Sequence, residues 1–327
     1  MKPRVFVTRP VPDAGLALLR QHFDVTLREL PLPPRRDELI AGLRDVQGLF
    51  CLITDTVDAE VLKSAKSLRV VSNMAVGVDN IDVAAATRLG IAVGNTPGVL
   101  TEATADLTLS LMLAAARCLR GGMDDVAAGR WRTWEPLGYL GQDLLGKTLG
   151  IIGLGRIGSA VARRCAGGWN MRVLYSGPRP KTTAEAEFVP LEQLLRESDF
   201  ISVHCPLTPQ TRGLVGREQF RMMKPSAVFV NTARGQIVNQ TALGEALREK
   251  WIFAAGLDVT DPEPPHPDDP FMRLPNLVVA PHVGSATFAT RDRMAVMAAE
   301  NLIAGLAGKP LPHAVNPDAQ TKEPRTK

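Results

Sequence analysis

Everything else in the chain can be ordered around Leu149–Arg164, LGIIGLGRIGSAVARR. Its first four residues are a short apolar run with strand character. Gly153, Gly155 and Gly158 then form G-x-G-x-x-G, and the residues after Arg156 have helical spacing. Three glycines at that spacing say little alone. A strand before them and a helix after them supply the context in which the loop cradles a dinucleotide. Gly153 permits a tight turn, Gly155 lets a pyrophosphate approach the backbone, and Gly158 lets the helix pack close to the strand. The helix start offers unpaired N–H groups and the positive end of its dipole to phosphates.

The same alternation extends in both directions. Beyond the loop, strands fit Arg172–Tyr175, Phe200–His204, Ala227–Asn231, Phe253–Leu257 and Leu277–Ala280, joining Thr148–Ile152. Helices fit Arg156–Gly167, Pro190–Glu197, Arg217–Met222 and Thr241–Glu249. Six strands with helices between them match a doubly wound dinucleotide sheet. Before the loop, strands fit Val5–Thr8, Val25–Leu27, Leu49–Leu52, Leu68–Ser72 and Ala92–Val93. Helices there fit Asp13–Gln21, Arg35–Leu43, Asp58–Ala65 and Asp82–Leu89, which makes a second α/β unit. A helix over Thr101–Arg120 is expected to stop at Gly121-Gly122, and Gly129–Lys147 reads as a surface or partner-contacting loop. Ala289–Leu306 reads as one long amphipathic helix, and Lys309–Lys327 as a frayed, Pro-rich tail.

Composition narrows the class. At ~150 residues per domain, 327 residues give two domains. With 45% hydrophobic and 22% charged residues the chain is ordinary globular protein, not disordered or fibrous. The net charge of +4 is interspersed and aromatics are only 5%, which argues against nucleic acid. The longest apolar run, Leu107–Ala116, is too short to span a bilayer. Met1–Pro10 has no apolar leader. Cys51, Cys118, Cys165 and Cys205 have no metal spacing and sit in apolar runs, so free buried thiols, no metal site and a cytoplasmic location are expected.

The end of the second strand of this unit, the first after the loop, bears on the cofactor. An Asp or Glu about 20 residues on usually takes the ribose 2′-OH of NAD. Gly177 stands there instead, with Arg179 and Lys181 close by. Cations without a carboxylate suit a 2′-phosphate, so NADP(H) is expected over NAD(H).

In an open α/β sheet, ligands sit outside the carboxyl ends of the strands. Arg234, Asp258 and His282 stand there, and Glu263 follows in Asp261-Pro-Glu-Pro-Pro265. Singly each has an ordinary structural explanation. Jointly they suit hydride transfer to a carbonyl beside a carboxylate. Arg234 offers a planar bidentate cation to that carboxylate. His282 is the side-chain type that gives up a proton near neutral pH. A carboxylate beside the ring holds it and favours its imidazolium form, and Glu263 is the candidate. His22, His266 and His313 lie in helical or Pro-rich surface contexts; His204 ends a strand and reads as a cofactor-side or packing residue.

These residues together resemble the D-2-hydroxyacid dehydrogenase family. The resemblance runs from Arg4 to about Pro312. It is carried by Val76-Gly-Val-Asp-Asn-Ile-Asp82, the glycine loop, Asn231-Thr-Ala-Arg-Gly235, Gly256-Leu-Asp-Val259, Pro262-Glu-Pro264 and Pro281-His-Val-Gly-Ser285. Within the family the chain looks most like glyoxylate/hydroxypyruvate reductases of the animal type, in MAVGVDNID, TPGVLTEATADL, LDVTDPEP and PHVGSAT. The resemblance implies a Rossmann cofactor domain over 101–285. It also implies a flavodoxin-like substrate domain built from 1–100 and 286–327. Arg234, Glu263 and His282 would be the catalytic three. Val76 and Gly77 would offer amides to the substrate carboxylate, with Ser285 lining the same pocket. Gly155, Arg156 and Ile157 would hold the pyrophosphate, with Thr104 touching the phosphates and Gly284 among the cofactor residues. Pro206 and Thr211 would border the adenosine, and Thr232 and Asp258 the nicotinamide half. The segment 101–147 would form a homodimer interface. Animal-type members carry a bulky Trp after W-x-P-L; this chain has Gly138 and then Tyr139, so Tyr139 takes over or the pocket is more open.

The leading expectation is therefore an NADPH-dependent reductase of small 2-keto acids, glyoxylate and hydroxypyruvate first. One alternative is a dehydrogenase for another D-2-hydroxy acid, bulkier or phosphorylated. A phosphorylated substrate would want cations near Leu52–Asp55 and Met74–Asp79, where the sequence places none. The other alternative is a nucleotide-sensing binding protein resembling the family's co-repressors.

Overall fold

The computed structural model describes residues 2–182 and 185–321. They divide into two compact units: residues up to Leu100 together with those from Ala286 on, and Thr101–Ser285. In chain order the first unit opens with β1 (Arg4–Val7), α1 (Asp13–His22), β2 (Asp24–Leu27), α2 (Arg36–Gly42) and β3 (Gly48–Cys51). It continues with α3 (Ala59–Ser64), β4 (Val70–Asn73), α4 (Val83–Arg88) and β5 (Ala92–Gly94). The second unit begins with α5 (Thr101–Ala116), α6 (Leu119–Ala127), β6 (Thr148–Ile152), α7 (Arg156–Trp169), β7 (Arg172–Ser176) and β8 (Glu187–Phe188). Then come α8 (Leu191–Glu197), β9 (Phe200–Val203), α9 (Arg217–Met222), β10 (Val228–Asn231), α10 (Gln240–Arg248), β11 (Ala254–Leu257) and β12 (Leu277–Val279). The last long helix, α11 (Phe288–Leu306), belongs to the first unit.

The first unit holds a five-stranded parallel sheet in the order β2-β1-β3-β4-β5, the flavodoxin-like arrangement. Its strand order reverses between β1 and β3. The second holds a seven-stranded parallel sheet, β12-β11-β10-β9-β6-β7-β8, reversing between β6 and β9. That is the dinucleotide-fold order with one strand added beyond the usual six. Helices cover both faces, so β3, β4, β9 and β10 are buried at every position. In the first unit Val5, Phe50 and Val70 pack against Ala298 and Leu302 of α11, while Phe6, Leu49 and Val71 pack on the other side with Leu39 and Leu62.

Four expectations need correction. The helix from Thr101 ends at Ala116 and not at Arg120. The Ala116 carbonyl accepts from the Gln142 amide (2.9 Å), which removes it from the helical ladder. Cys118 then turns left-handed (φ 53°), and Gly121-Gly122 lie inside the new helix α6. The short strand β8 pairs with β7; two residues give too little alternation to be seen in sequence. The tail is not frayed as far as residue 321. Val315 donates to the Val93 carbonyl (2.8 Å), and the buried Asn316 side chain accepts from the Val93 amide (2.7 Å) and donates to Ile91 (3.0 Å). These bonds cover the free edge of β5; the rest of that tail, 322–327, lies outside the described residues. Finally, Cys51 and Cys165 are buried, but Cys118 and Cys205 are only partly so, because they lie past the ends of their elements.

Candidate active site at the strand ends

In the second unit the site grows out of three strand ends. β10 finishes at Asn231, 1% exposed, whose side chain folds the turn that follows. Its Oδ1 accepts from the Ala233 amide (2.9 Å) and its Nδ2 donates to the Arg234 carbonyl (2.9 Å). Arg234 stands in extended conformation, and its guanidinium donates to the Ala233 carbonyl (2.7 Å). The next residue, Gly235, lies so close to the loop after β11 that a Cβ there would come within 1.9 Å of the Thr260 carbonyl oxygen. A side chain at that point would drive the Arg234 turn off the loop that carries Glu263.

Directly after β11 stands Asp258, 2% exposed. Its carboxylate accepts from the amides of Val283 (2.7 Å) and Gly284 (2.8 Å), and its carbonyl accepts from the His282 amide (3.0 Å). Burial pushes the Asp258 carboxyl up, against those two amide bonds and the charge of His282. One strand-end acid thus shapes the turn in which His282 adopts a left-handed backbone (φ 54°), a conformation disfavoured by about 1–2 kcal/mol for a residue with a Cβ. The imidazole Nδ1 lies 2.5 Å from Glu263 Oε1, with both side chains about one-third exposed (32% and 34%). With Nδ1 against a carboxylate, the hydrogen-bond network assigns the proton to Nδ1.

The glycine loop sits between β6 and α7. Gly153 is left-handed (φ 97°), and a Cβ on it would meet the Cys205 backbone at 2.6 Å. A Cβ on Gly158 would meet the Gly153 carbonyl oxygen at 2.5 Å, whereas Gly155 has nothing within 4 Å. The backbone at Gly155 is therefore open, and the exposed Arg156 begins α7. Lys181 folds back over this loop. Its ammonium donates to the Leu154 carbonyl (2.5 Å) and its amide to the Tyr175 hydroxyl (2.6 Å). Arg179 is exposed nearby in sequence, and no carboxylate stands at Gly177. An open glycine cradle, a helix start and a lysine held at the loop fit a dinucleotide.

Other named residues serve the frame. The Thr104 hydroxyl donates to the Gly284 carbonyl (3.2 Å), and the Thr232 hydroxyl bonds that of Thr108 (3.0 Å). Thr211 donates to the Pro206 carbonyl (2.6 Å). Ile157 is part-buried in the first turn of α7, and Ser285 is part-buried after Gly284. His204 bonds the Ser202 hydroxyl (2.8 Å). Tyr139, next to Gly138, is left-handed (φ 52°), with its hydroxyl on Asp125.

In the first unit the loop after β4 is tied down by asparagines. Asn95 donates to the Val76 carbonyl (2.8 Å), Asn73 to the Gly77 carbonyl (3.0 Å), and Asn80 to the carbonyls of Leu52 and Asp55 (3.0 Å each). With those carbonyls engaged, the Val76 and Gly77 amides are not donated elsewhere among the described residues. No cluster of three His, Cys, Asp or Glu able to hold a metal occurs among the described residues, and no helix there is long and apolar enough to cross a membrane.

Residues 109–284 match the family described as D-isomer specific 2-hydroxyacid dehydrogenase, NAD binding domain. The chain belongs to the D-2-hydroxyacid dehydrogenases. Among relatives of this dehydrogenase, the glyoxylate reductase of Korarchaeum cryptofilum is 50% identical over 329 residues, covering 99% of both chains. A solved protein of Thermus thermophilus superimposes with a TM-score of 0.91 at 47% identity, covering 95% of this chain and 99% of that one. An NADPH-dependent glyoxylate/hydroxypyruvate reductase of Sinorhizobium meliloti, solved with NADP and malonate, gives 0.84 at 31% identity, covering 97% and 98%.

Sequence inspection of this dehydrogenase misses three groups. Asn231 and the Asn73–Asn80–Asn95 set act on backbone atoms, which no spacing rule reveals, although Asn231 and Asn80 lie inside motifs singled out for other reasons. The third omission is a correction. Arg9 and Arg291 stand with Leu52 and Met74 around one cavity, where the sequence showed no cation. Arg9 was legible as the residue two past β1; Arg291 reaches the cavity from α11, far along the chain.

Proposed function

We propose that this dehydrogenase reduces small 2-keto acids, glyoxylate and hydroxypyruvate first, to 2-hydroxy acids with NADP(H) preferred over NAD(H). The observation that carries the reading is the His282–Glu263 pair, built on the strand ends that also hold Arg234 and lying in the same unit as an open glycine loop. The second unit is then the cofactor domain and the first the substrate domain.

Gly153, Gly155, Gly158 and the first turn of α7, with Arg156 and Ile157, would hold the pyrophosphate, and the reduced nicotinamide supplies a hydride when bound. Arg234 binds the substrate carboxylate, helped by the Val76 and Gly77 amides. As the carbonyl carbon gains hydride, its oxygen gains charge and takes the proton from His282 Nε2. Glu263 keeps the ring oriented and stabilises the protonated state that precedes transfer. Lys181 and Arg179 would meet the ribose 2′-phosphate of NADP(H). Lys181 carries most of that preference, because its ammonium is already held over Leu154.

A steady-state panel of glyoxylate, hydroxypyruvate, pyruvate and phenylpyruvate with NADPH and NADH tests the reading. NADPH turnover is expected with the first two, and a clear preference for NADH overturns the cofactor assignment. His282→Asn tests the acid role, since Asn tolerates the left-handed backbone. It is expected to lower kcat about 10²- to 10⁴-fold with cofactor affinity kept; full kcat removes the role.

A second copy of the chain is the proposed partner of α6 and the loop after it. Met123, Trp131, Trp134, Leu137 and Leu145 are 68–82% exposed there, and clustered exposed apolar side chains mark interaction surfaces. Sedimentation at micromolar protein is expected to show a dimer, and Trp134→Glu with Leu137→Glu to dissociate it. Four cysteines without a disulfide suit a reducing compartment such as the cytoplasm.

A further inference from the structure

This mechanism leaves unused a cavity of about 340 Å³ in the first unit, bordered by Arg9, Pro12, Pro31, Leu52, Met74 and Arg291. It lies past the carboxyl ends of β1, β3 and β4. β1 and β3 are the strands between which the sheet order reverses, the place where open α/β sheets take ligands. One wall residue stands close in the chain to the proposed carboxylate amides. Met74 is two residues before Val76, its amide donates to the Cys51 carbonyl beside Leu52 (2.9 Å), and Asn80 pins both loops together.

Glyoxylate carries only hydrogen beyond its carbonyl carbon and leaves such a space empty. Two guanidinium groups on its wall are an uneconomical lining for an alkyl chain. Arg9 is positioned in advance: it donates to the Pro31 carbonyl (3.2 Å) and the Thr54 hydroxyl, both neutral acceptors. The nearby Asp55 carboxyl, on which the Arg9 charge acts, is hydrogen-bonded elsewhere. Asp55 accepts from the Thr8 hydroxyl (2.6 Å) and the Leu52 amide (2.8 Å), which holds the loop in shape.

We infer that this cavity receives the distal, negatively charged end of a larger 2-keto acid, with Arg9 and Arg291 as the specificity-determining cations. The inference rests on the reductase reading above and adds a substrate class to it: 2-keto acids bearing a second carboxylate or a phosphate ester. Charge-assisted contacts to a guanidinium are strong enough to rank substrates.

The test is kcat/KM for two matched pairs, oxaloacetate against 2-oxobutyrate and 3-phosphohydroxypyruvate against hydroxypyruvate. At least one charged member is expected to lead by about tenfold or more; which pair shows it separates a carboxylate from a phosphate. In Arg9→Gln and Arg291→Gln that ratio is expected to fall toward one. A ratio of one or below in the unaltered protein overturns the inference, as does a ratio unchanged in both variants. Should the variants fail to fold, inhibition of the unaltered protein by D-malate and D-2-hydroxybutyrate decides. D-malate is expected to bind about tenfold tighter, with the gap closing as salt is added; equal binding overturns it. No turnover of any 2-keto acid would remove the reductase reading alone, since calorimetric binding of the same two hydroxy acids still reads the cavity.

Discussion

Asp258 shows how one residue sets the geometry of its neighbours. Its amide donates to the Asn231 carbonyl (2.9 Å), its carboxylate takes the amides of Val283 and Gly284, and its carbonyl takes that of His282. The turn bearing the proposed acid is thus suspended from the strand-end residue that also touches β10. Asp258→Ala leaves one buried and one part-buried N–H group unpaired, at a cost of about 2 to 4 kcal/mol, and lets His282 leave its left-handed backbone. A displacement of about 1 Å is enough for a hundredfold loss of rate. The expected order in both Tm and kcat is unaltered protein, then Asp258→Asn, then Asp258→Ala; an Ala variant with normal kcat would refute the suspension. The sequence marks Asp258 as an acid at a strand end. It does not reveal the duty, because the partners are backbone amides twenty-five residues later with no side-chain signature.

At the scale of elements, the strand–helix alternation was readable because each buried strand is a compact apolar run and each helix has its own period. What was not readable depended on contacts between distant segments. α5 stops because Gln142 takes the Ala116 carbonyl, and the tail is ordered because Asn316 substitutes for a missing strand beside β5. The packing of the Gly235 turn on the loop after β11 is of the same kind. A Cβ at Gly235 would overlap the Thr260 carbonyl carbon at 2.2 Å as well as its oxygen, and backbone cannot give way as a side chain does. Gly235→Ala is therefore expected to destabilise the second unit by about 1–3 kcal/mol and to cut kcat/KM for glyoxylate about a hundredfold by moving Arg234 away from Glu263. Cofactor affinity should hold, because the glycine loop lies at other strands. Kinetics beside a cofactor titration check this, and a fall in both together would mean general unfolding.

Across the whole molecule, protonation is expected to loosen the two units in different pH windows. His204, at the end of β9, is pushed by burial from 6.5 down to about 4. The unfolded chain takes up that proton near 6.5, whereas the folded chain waits until about 4, so acidification favours unfolding throughout that interval. Asp58, the N-cap of α3 in the first unit, is also lowered and also loses stability on acidification, but in a lower window. The Arg36 side chain, then the Val61 amide, lower it from 3.8 to about 2. Its contribution is intact above 3.8 and is lost only as pH falls toward 2. The second unit should therefore begin to soften between pH 6.5 and 4 while the cap of the first is still whole. Following Tm from pH 7.5 to 4.5 should show a steady decline whose slope diminishes in His204→Asn. Asp58→Asn should leave that slope unchanged and lower Tm at every pH above 4. An equal slope in the His204 variant would mean that other groups govern acid sensitivity.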